Sequence, residues 1–111
     1  MLLDTRAYVL LRRGELDLAL KDVDLAILQT RQYVAQDGLE QRVKAVDERD
    51  FARRVKAVRQ SLAVILYHRS LIYAAKAEKA NEEDRANFEA SGALDRAEIR
   101  NLGFVPDERL M

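Results

Sequence analysis

The chain has 111 residues, which is enough for one domain with a modest hydrophobic core. Lys and Arg together number 19, as do Asp and Glu, so the overall charge does not argue for binding to nucleic acid or an anionic membrane. The absence of Cys excludes disulfides, thiolate metal sites and cysteine nucleophiles. Only four Gly and one Pro interrupt a sequence that is 49% hydrophobic and 34% charged, and this composition favours an all-α fold.

Residues 2–28 form two amphipathic segments of similar length with Gly14 between them. In both segments apolar residues recur every three or four positions, which is the period of one helix face. Two arginines precede Gly14, as is typical of a last helical turn, and two acidic residues follow it where a second helix would begin. So short a connection predicts an antiparallel pair of helices, residues 2–13 and 16–34.

Alanines stand on the apolar faces of this hairpin where leucine would be usual, and small side chains there let two helix backbones approach closely. The hairpin matches a known helix–turn–helix pattern at six positions. At two others, Leu10 and Arg31, that pattern has tyrosine and proline. The positions that match that pattern are Leu3, Ala7, Gly14, Ala19, Val23 and Ala26. Their spacing resembles the tetratricopeptide repeat, a helix–turn–helix unit of about 34 residues. The alternative is a generic helical hairpin.

The resemblance implies a binding groove lined by the first helix of each hairpin. Carried over by position, its lining includes Tyr8, Leu11, Arg12, Tyr67 and Leu71. Tyrosine and arginine are residue types that often anchor a bound protein or peptide. In the alternative arrangement, an inserted helix packs on these residues and fills the groove from within the chain.

That inserted helix is predicted between the two hairpins. Asp37-Gly38 is a turn signal after the first hairpin, and neither Gly nor Pro occurs again in residues 39–90. We therefore predict a helix over 39–59, so that residues 38–59 are an insertion. The interval between apolar positions lengthens to five residues from Val46 to Phe51. This irregularity predicts a break or kink near Asp47.

Residues 60–104 are predicted to form the second hairpin, with helices at 60–77 and 82–101. Its first helix repeats the pattern at Leu66, Ser70, Tyr73 and Ala77, and its second helix does so at Ala90, Leu94 and Ala97. Asn81 has the sequence context of a helix N-cap and Gly103 that of a C-terminal cap. Residues 105–111 would be a tail. The whole chain, residues 1–111, is then one tetratricopeptide-like domain of about five helices.

The sequence offers little for catalysis. His68 is the only histidine, and on so apolar a helix we expect it to be packed or at the rim of the core. Ser70 is two residues away on another helix face, so it is not placed as a nucleophile for His68. Phosphate-binding glycine loops, Gly-x-Ser-x-Gly and zinc patterns are all missing from the sequence. No catalytic residue, metal ligand or cofactor is therefore predicted.

Charge is distributed unevenly, and this suggests a second kind of binding. Residues 40–60 hold seven basic and four acidic residues, among them a stripe formed by Arg53, Arg54, Lys56 and Arg59. Such a stripe favours an acidic partner or a nucleic-acid backbone. Nucleic acid is disfavoured because no aromatic residues alternate with the cations to stack on bases. The other possibility is attraction within the chain to residues 78–100, where acidic residues are in excess.

From the sequence we expect a non-catalytic protein-interaction or scaffolding module. Its partner would be another protein, a peptide or a second copy of the chain. The chain starts close to its first helical turn without the polar capping helix that repeat arrays usually carry, which suggests a fragment or an end that meets another subunit. The longest apolar run, residues 62–75, includes charged residues and is too short to span a membrane. Together with the absence of Cys and of a signal peptide, this predicts a cytoplasmic protein.

Overall fold

The structure, a computed structural model, describes residues 3–44 and 46–110, and for Leu3 and residues 33–44 it describes the helical backbone alone. The described part is all-helical, as predicted, and it is elongated, measuring 52 × 27 × 23 Å. Its elements are α1 (Leu3–Arg12), α2 (Leu16–Lys44), α3 (Glu48–Lys79), α4 (Glu82–Asn101) and a 3₁₀ turn (Glu108–Leu110).

The turn between α1 and α2 has the geometry that the sequence predicts. Gly14 adopts a φ of +79°, a left-handed conformation that side chains disfavour. The N–H of Gly14 donates to the carbonyl of Leu11 at 3.0 Å, and the N–H of Glu15 donates to that of Leu10 at 2.9 Å. These bonds close the end of α1. Ala7 and Ala19 are completely buried, which confirms the predicted close approach of the two helices.

The structure has four α-helices in the described residues instead of about five. The predicted separate helix over residues 38–59 is wrong, because Gly38 lies within α2 and residues 48–59 are the first third of α3. A single glycine costs a helix about 1 kcal/mol, which does not suffice to end it. The predicted break near Asp47 is confirmed, since Asp47 is the N-cap of α3 and its Oδ1 accepts from the N–H of Asp50 at 2.8 Å.

Helix α4 begins as predicted but presents a different face to α3. The Oδ1 of Asn81 accepts from the N–H of Asp84 at 2.9 Å and caps the first turn. The predicted contact face of Ala90, Leu94 and Ala97 is wrong, because all three are exposed, Leu94 to 72%. Gly92 and Ile99 are buried instead, seven residues apart like Ala19 and Ala26 of α2. The predicted spacing of buried positions along α4 is therefore correct, but the buried positions lie two residues further along the chain than predicted.

Helix α3 is the centre of the molecule and packs against α1, α2, α4 and the 3₁₀ turn. Helix α1 packs on α2 and α3, so the two hairpins lie side by side with α2 and α3 in contact. The fully buried large side chains are Leu66 and Ile72 of α3, Val23 of α2 and Ile99 of α4. They belong to one core that continues across all four helices.

Side-chain ion pairs link neighbouring helices around this core. The pairs include Arg6 with Asp22 (α1 to α2), Lys76 with Asp17 and Arg69 with Asp24 (α3 to α2), Arg69 with Asp95 (α3 to α4) and Arg31 with Glu98 (α2 to α4). Asp95 is 3% exposed, and its hydrogen bonds raise the pKa of Arg69 above its ordinary value, so this half-buried cation stays charged. Each pair adds little to the free energy of unfolding, and its main effect is to specify which helices meet.

The segment after α4 turns back onto α3. Gly103 has a φ of +96°, and the N–H of Phe104 donates to the carbonyl of Ile99 at 3.2 Å, which confirms the predicted C-terminal cap. The 3₁₀ turn then packs on α3, where Leu110 is 5% exposed and joins the core. We call residues 104–110 the tail segment.

Candidate functional site

The candidate site is the surface between α1 and α3, the first helices of the two hairpins. Asp4, at the start of α1, lies beside His68. At the other end of α1, a Cβ atom placed on Gly14 would lie 3.7 Å from Nζ of Lys79. Both helices therefore run in the same direction along one face of the molecule. We call the surface lined by Tyr8, Leu11, Arg12, Tyr67 and Leu71 the inner groove.

One wall of the inner groove is fixed by a histidine and a carboxylate. The Nδ1 of His68 lies 2.7 Å from Oδ1 of Asp4, to which it donates its ring proton. The Tyr8 ring packs on the imidazole with 5.1 Å between ring centroids. His68 is 8% exposed, which confirms that it is a packed histidine. Asp4 was not predicted as the partner of His68, since the two residues are 64 positions apart and no local pattern connects them.

Ser70 has a structural position, as the sequence predicted. It is 3% exposed, and its Oγ donates to the carbonyl of Tyr67 at 2.6 Å. A Cβ atom placed on Gly92 would lie 3.8 Å from the Ser70 carbonyl oxygen, so Ser70 and Gly92 mark a close approach of α3 and α4. The hydroxyl is thus directed at its own helix and not at the imidazole of His68.

The structure places Tyr8 and Tyr67 on either side of His68 and gives the predicted groove residues different surroundings. Leu11 and Tyr67 are half-buried and pack against the core. Tyr8 and Leu71 are half-buried outside that cluster, and Arg12 is exposed at the end of α1. Removing the side chains of Tyr8 or Leu71 would therefore alter the groove surface with little loss from the core.

The tail segment packs on α3 near Tyr67. The pKa of Tyr67 is raised by its burial first and then by the negative charges of Glu108 and Asp107, which places both acids near the Tyr67 hydroxyl. The nearby hydroxyl of Tyr8 also raises the pKa of Tyr67. The alternative in which an inserted helix over residues 38–59 fills the groove requires a separate helix there, and the described residues of that range instead end α2 and begin α3.

The predicted basic stripe lies on the amino-terminal third of α3. Arg53 and Arg54 both pair with Asp50, at 3.5 and 3.1 Å. Lys56 and Arg59 are exposed and make no ion pair with any described residue. These two cations line a surface groove of about 450 Å³ between α3 and the residues that follow α4. The apolar part of its lining includes Phe51, Val55, Leu102 and Phe104.

Another depression, of about 550 Å³, lies between α3 and α4. Its floor contains Ala74, Ala77 and Gly92, and two arginines and two glutamates line its edge, namely Arg85, Arg96, Glu78 and Glu89. Among the described residues, no group of three or more acidic or histidine side chains is arranged to hold a metal ion. No helix in the part of the chain described here has an apolar stretch long enough to cross a membrane.

The chain was compared with models of protein families, with curated proteins and with solved structures, and no match was found.

Proposed function

We propose that the protein is a non-catalytic interaction module of tetratricopeptide type that binds a short protein segment in the inner groove. The observation that carries this proposal is the tail segment, a short piece of chain that ends in a 3₁₀ turn packed on α3, with Leu110 buried in the core. A surface that accepts such a segment from its own chain has the shape and the apolar character needed to accept one from a partner.

The arrangement of the helices supports the same proposal. Each of α1, α2 and α3 packs on the next helix in the chain, and α1 also contacts α3. Two consecutive helical hairpins of a repeat array would pack in this way and would present their first helices on one face. The glycine at the first turn and the buried alanines of the first hairpin occupy the positions that the resemblance requires.

A binding role is favoured over catalysis by the state of the polar side chains near the groove. The imidazole of His68 donates to Asp4, and the hydroxyl of Ser70 donates to a backbone carbonyl. A general base needs a nucleophile or a substrate proton within hydrogen-bond reach. The hydroxyl of Ser70 is not directed at the imidazole of His68, so the two do not form such an arrangement. These groups stabilise the walls of the groove.

The test is selection of binding peptides from a displayed random library, followed by affinity measurements on variants. We expect the selected peptides to bind the wild type and to lose at least about tenfold in affinity to a Tyr8→Ala, Leu71→Ala double variant. The matched control is Leu28→Ala on the outer face of α2, where the side chain is 53% exposed. Equal binding to the groove variant and to the control would refute the proposal, provided circular dichroism shows both to be folded.

A second candidate function is binding of an acidic partner to the groove at the start of α3. The observation in its favour is that Lys56 and Arg59 line an apolar groove without an ion-pair partner among the described residues. Binding of polyglutamate should weaken steeply with added salt and should be lost in Lys56→Gln, Arg59→Gln. Arg53→Gln is the control, since Arg53 already faces Asp50. Affinity that does not change with salt would exclude this function.

Self-association is a third candidate, favoured by the outer face of α4. Leu94 is 72% exposed there, next to the exposed Ala90, Ala93 and Ala97. A second copy packed on this face would bury them. Light scattering across a concentration series should then give a dimer mass that Leu94→Glu reduces to that of one chain. A wild-type mass of one chain at all concentrations would exclude it.

A further inference from the structure

The outer face of α4, which points away from the other helices, is apolar along its middle. Leu94 is 72% exposed, and the alanines beside it are exposed as well. Helix α4 meets the rest of the chain through other side chains, since Asp95 pairs with Arg69 of α3 and Glu98 pairs with Arg31 of α2. The exposed alanines recur at intervals of four, three and four residues, so they form one stripe along the helix. We call this the alanine stripe, and it consists of Ala86, Ala90, Ala93 and Ala97.

Four charged side chains border the alanine stripe, two acidic in the first half of α4 and two basic in the second half. They are Glu83, Glu89, Arg96 and Arg100. None of them forms an ion pair with a residue that the structure describes, whereas the charges of α4 that face α2 and α3 are paired. The outer face of α4 therefore has the composition of a helix–helix contact, with small residues in the middle and charges at the edge.

The alanine stripe has the spacing of a coiled-coil seam, in which two helices interlock at alternating intervals of three and four residues. Two α4 helices that pack antiparallel along this seam can place Ala90 opposite Ala93 of the second copy. The same alignment places Ala86 opposite Ala97, and the twofold symmetry of the pair repeats each contact in reverse. Since all four residues are alanine, the two helix backbones can approach closely along the whole stripe.

The antiparallel alignment also brings opposite charges together. Glu89 and Arg96 lie on the side of the stripe nearest α3, where both line the depression between α3 and α4. Each lies beside the other residue of the second copy, because they are seven positions apart and occupy equivalent places along the seam. Glu83 lies opposite Arg100 at the two ends. A parallel alignment would instead place Glu83 against Glu83 and Arg100 against Arg100, and like charges repel. The order of the charges therefore favours the antiparallel pair.

We infer that the outer face of α4 binds the same face of a second copy of this chain, with the two α4 helices antiparallel and reciprocal Glu89–Arg96 pairs setting their direction. This inference rests on self-association, the third candidate function, and adds to it the arrangement and the residues that select it. Because each alanine buries little apolar area, the association is weak and forms at concentrations above those of a urea denaturation measurement. Peptide binding in the inner groove is independent of it.

The experiment measures the mass of the full chain by light scattering over a concentration series, for the wild type and for single charge reversals. Glu89→Arg and Arg96→Glu each bring like charges together at two places in the pair, so each should weaken dimerisation by at least about tenfold. An equal mixture of the two variants has opposite charges at both places, so the mixture should form the dimer that neither variant forms alone. Lys21→Glu is the control, because Lys21 is exposed on α2 and its reversal should leave dimerisation unchanged.

A double variant keeps the test decisive if a single reversal disturbs folding. Glu89→Arg together with Arg96→Glu in one chain exchanges the two charges and leaves the net charge unchanged. This variant should dimerise as the wild type does, yet a tagged wild type should not retain it, because the mixed pair brings like charges together. Circular dichroism should show unchanged helical content, since neither residue is buried.

The results that would overturn the inference differ from one another. A wild-type mass of one chain at every concentration would exclude self-association as well as this arrangement. A dimer that Leu94→Glu dissociates but that neither charge reversal weakens would leave self-association standing and refute the antiparallel pair. Reversals that weaken the dimer without recovery in the mixture would refute the pairing of Glu89 with Arg96. Masses that grow beyond two chains would show an open head-to-tail contact in place of the twofold pair.

Discussion

The face that α4 buries can be tested by replacing two alanines that have a similar sequence context but different burial. Ala19 of α2 is completely buried between helices, whereas Ala97 of α4 is exposed. The sequence pattern assigns both to close-packed faces, so their replacement by leucine distinguishes the structure from the pattern. Both substitutions keep an apolar, helix-favouring residue, and the two alanines therefore serve as a matched pair.

The expected magnitudes follow from the space at each site. Ala19→Leu adds three carbon atoms where α1 and α2 already touch, and overpacking of this kind costs about 1–3 kcal/mol. With a typical urea dependence of about 1.5 kcal/mol per molar, the unfolding midpoint should fall by about 0.7–2 M. Ala97→Leu places its side chain in solvent, so the free energy of unfolding should change by less than about 0.5 kcal/mol.

Urea denaturation followed by circular dichroism at 222 nm measures both variants against the wild type. The slopes of the transitions must agree for the midpoints to be compared as free energies. A loss of stability in Ala97→Leu as large as that in Ala19→Leu would refute the assignment of the outer face of α4. Unchanged stability in Ala19→Leu would refute the close approach of α1 and α2.

Three further predictions concern single positions in the fold. Gly92→Ala should stabilise by up to about 1 kcal/mol in urea denaturation, because a helical glycine is replaced and its new Cβ is closest to the flexible end of Arg96, at 3.2 Å. Destabilisation would mean that α3 and α4 approach more closely than described. Hydrogen bonds from Arg6 lower the pKa of Asp22, so their contribution to stability is present above about pH 4 and is lost as the pH falls further. Asp22→Asn should therefore be less stable than the wild type at pH 7, and the difference should shrink as the pH falls below about 4. Burial and then the acids of the tail raise the pKa of Tyr67, and burial raises the pKa of Tyr73, so absorbance at 295 nm should show tyrosines that ionise above the ordinary range. Leu110→Asp should lower the pKa of Tyr67 and leave that of Tyr73 unchanged.

Several local features of the fold could be predicted from the sequence because they depend on a few neighbouring residues. Gly14 and Gly103 were identified as helix ends since a left-handed conformation requires little more than the glycine itself. Asn81 was identified as an N-cap for the same kind of reason, since its side chain bonds to a backbone group three residues away. The alanines of the first hairpin indicated close packing, and Ala7 and Ala19 are indeed buried.

Other features could not be predicted because distant parts of the chain decide them. Gly38 has the local context of a turn, yet α2 continues through it. The register of α4 depends on whether Gly92 or Ala90 fits against Ser70 of α3, and both are small residues on a helix with small residues on several faces. The partner of His68 is Asp4, which is 64 positions earlier in the chain. A single aspartate in a first helical turn gives no sign of such a contact.

The sequence by itself determined that the protein is all-helical, where its first and last helices end, and that small residues hold the first hairpin together. These properties come from the periodicity and backbone preferences of nearby residues, which act wherever the segment lies. Only the tertiary structure decided that α2 continues through Gly38 to Lys44, which face of α4 is buried, and that the tail segment packs on α3. These outcomes depend on which apolar surfaces compete best for burial against α3, and that competition involves residues far apart in the chain.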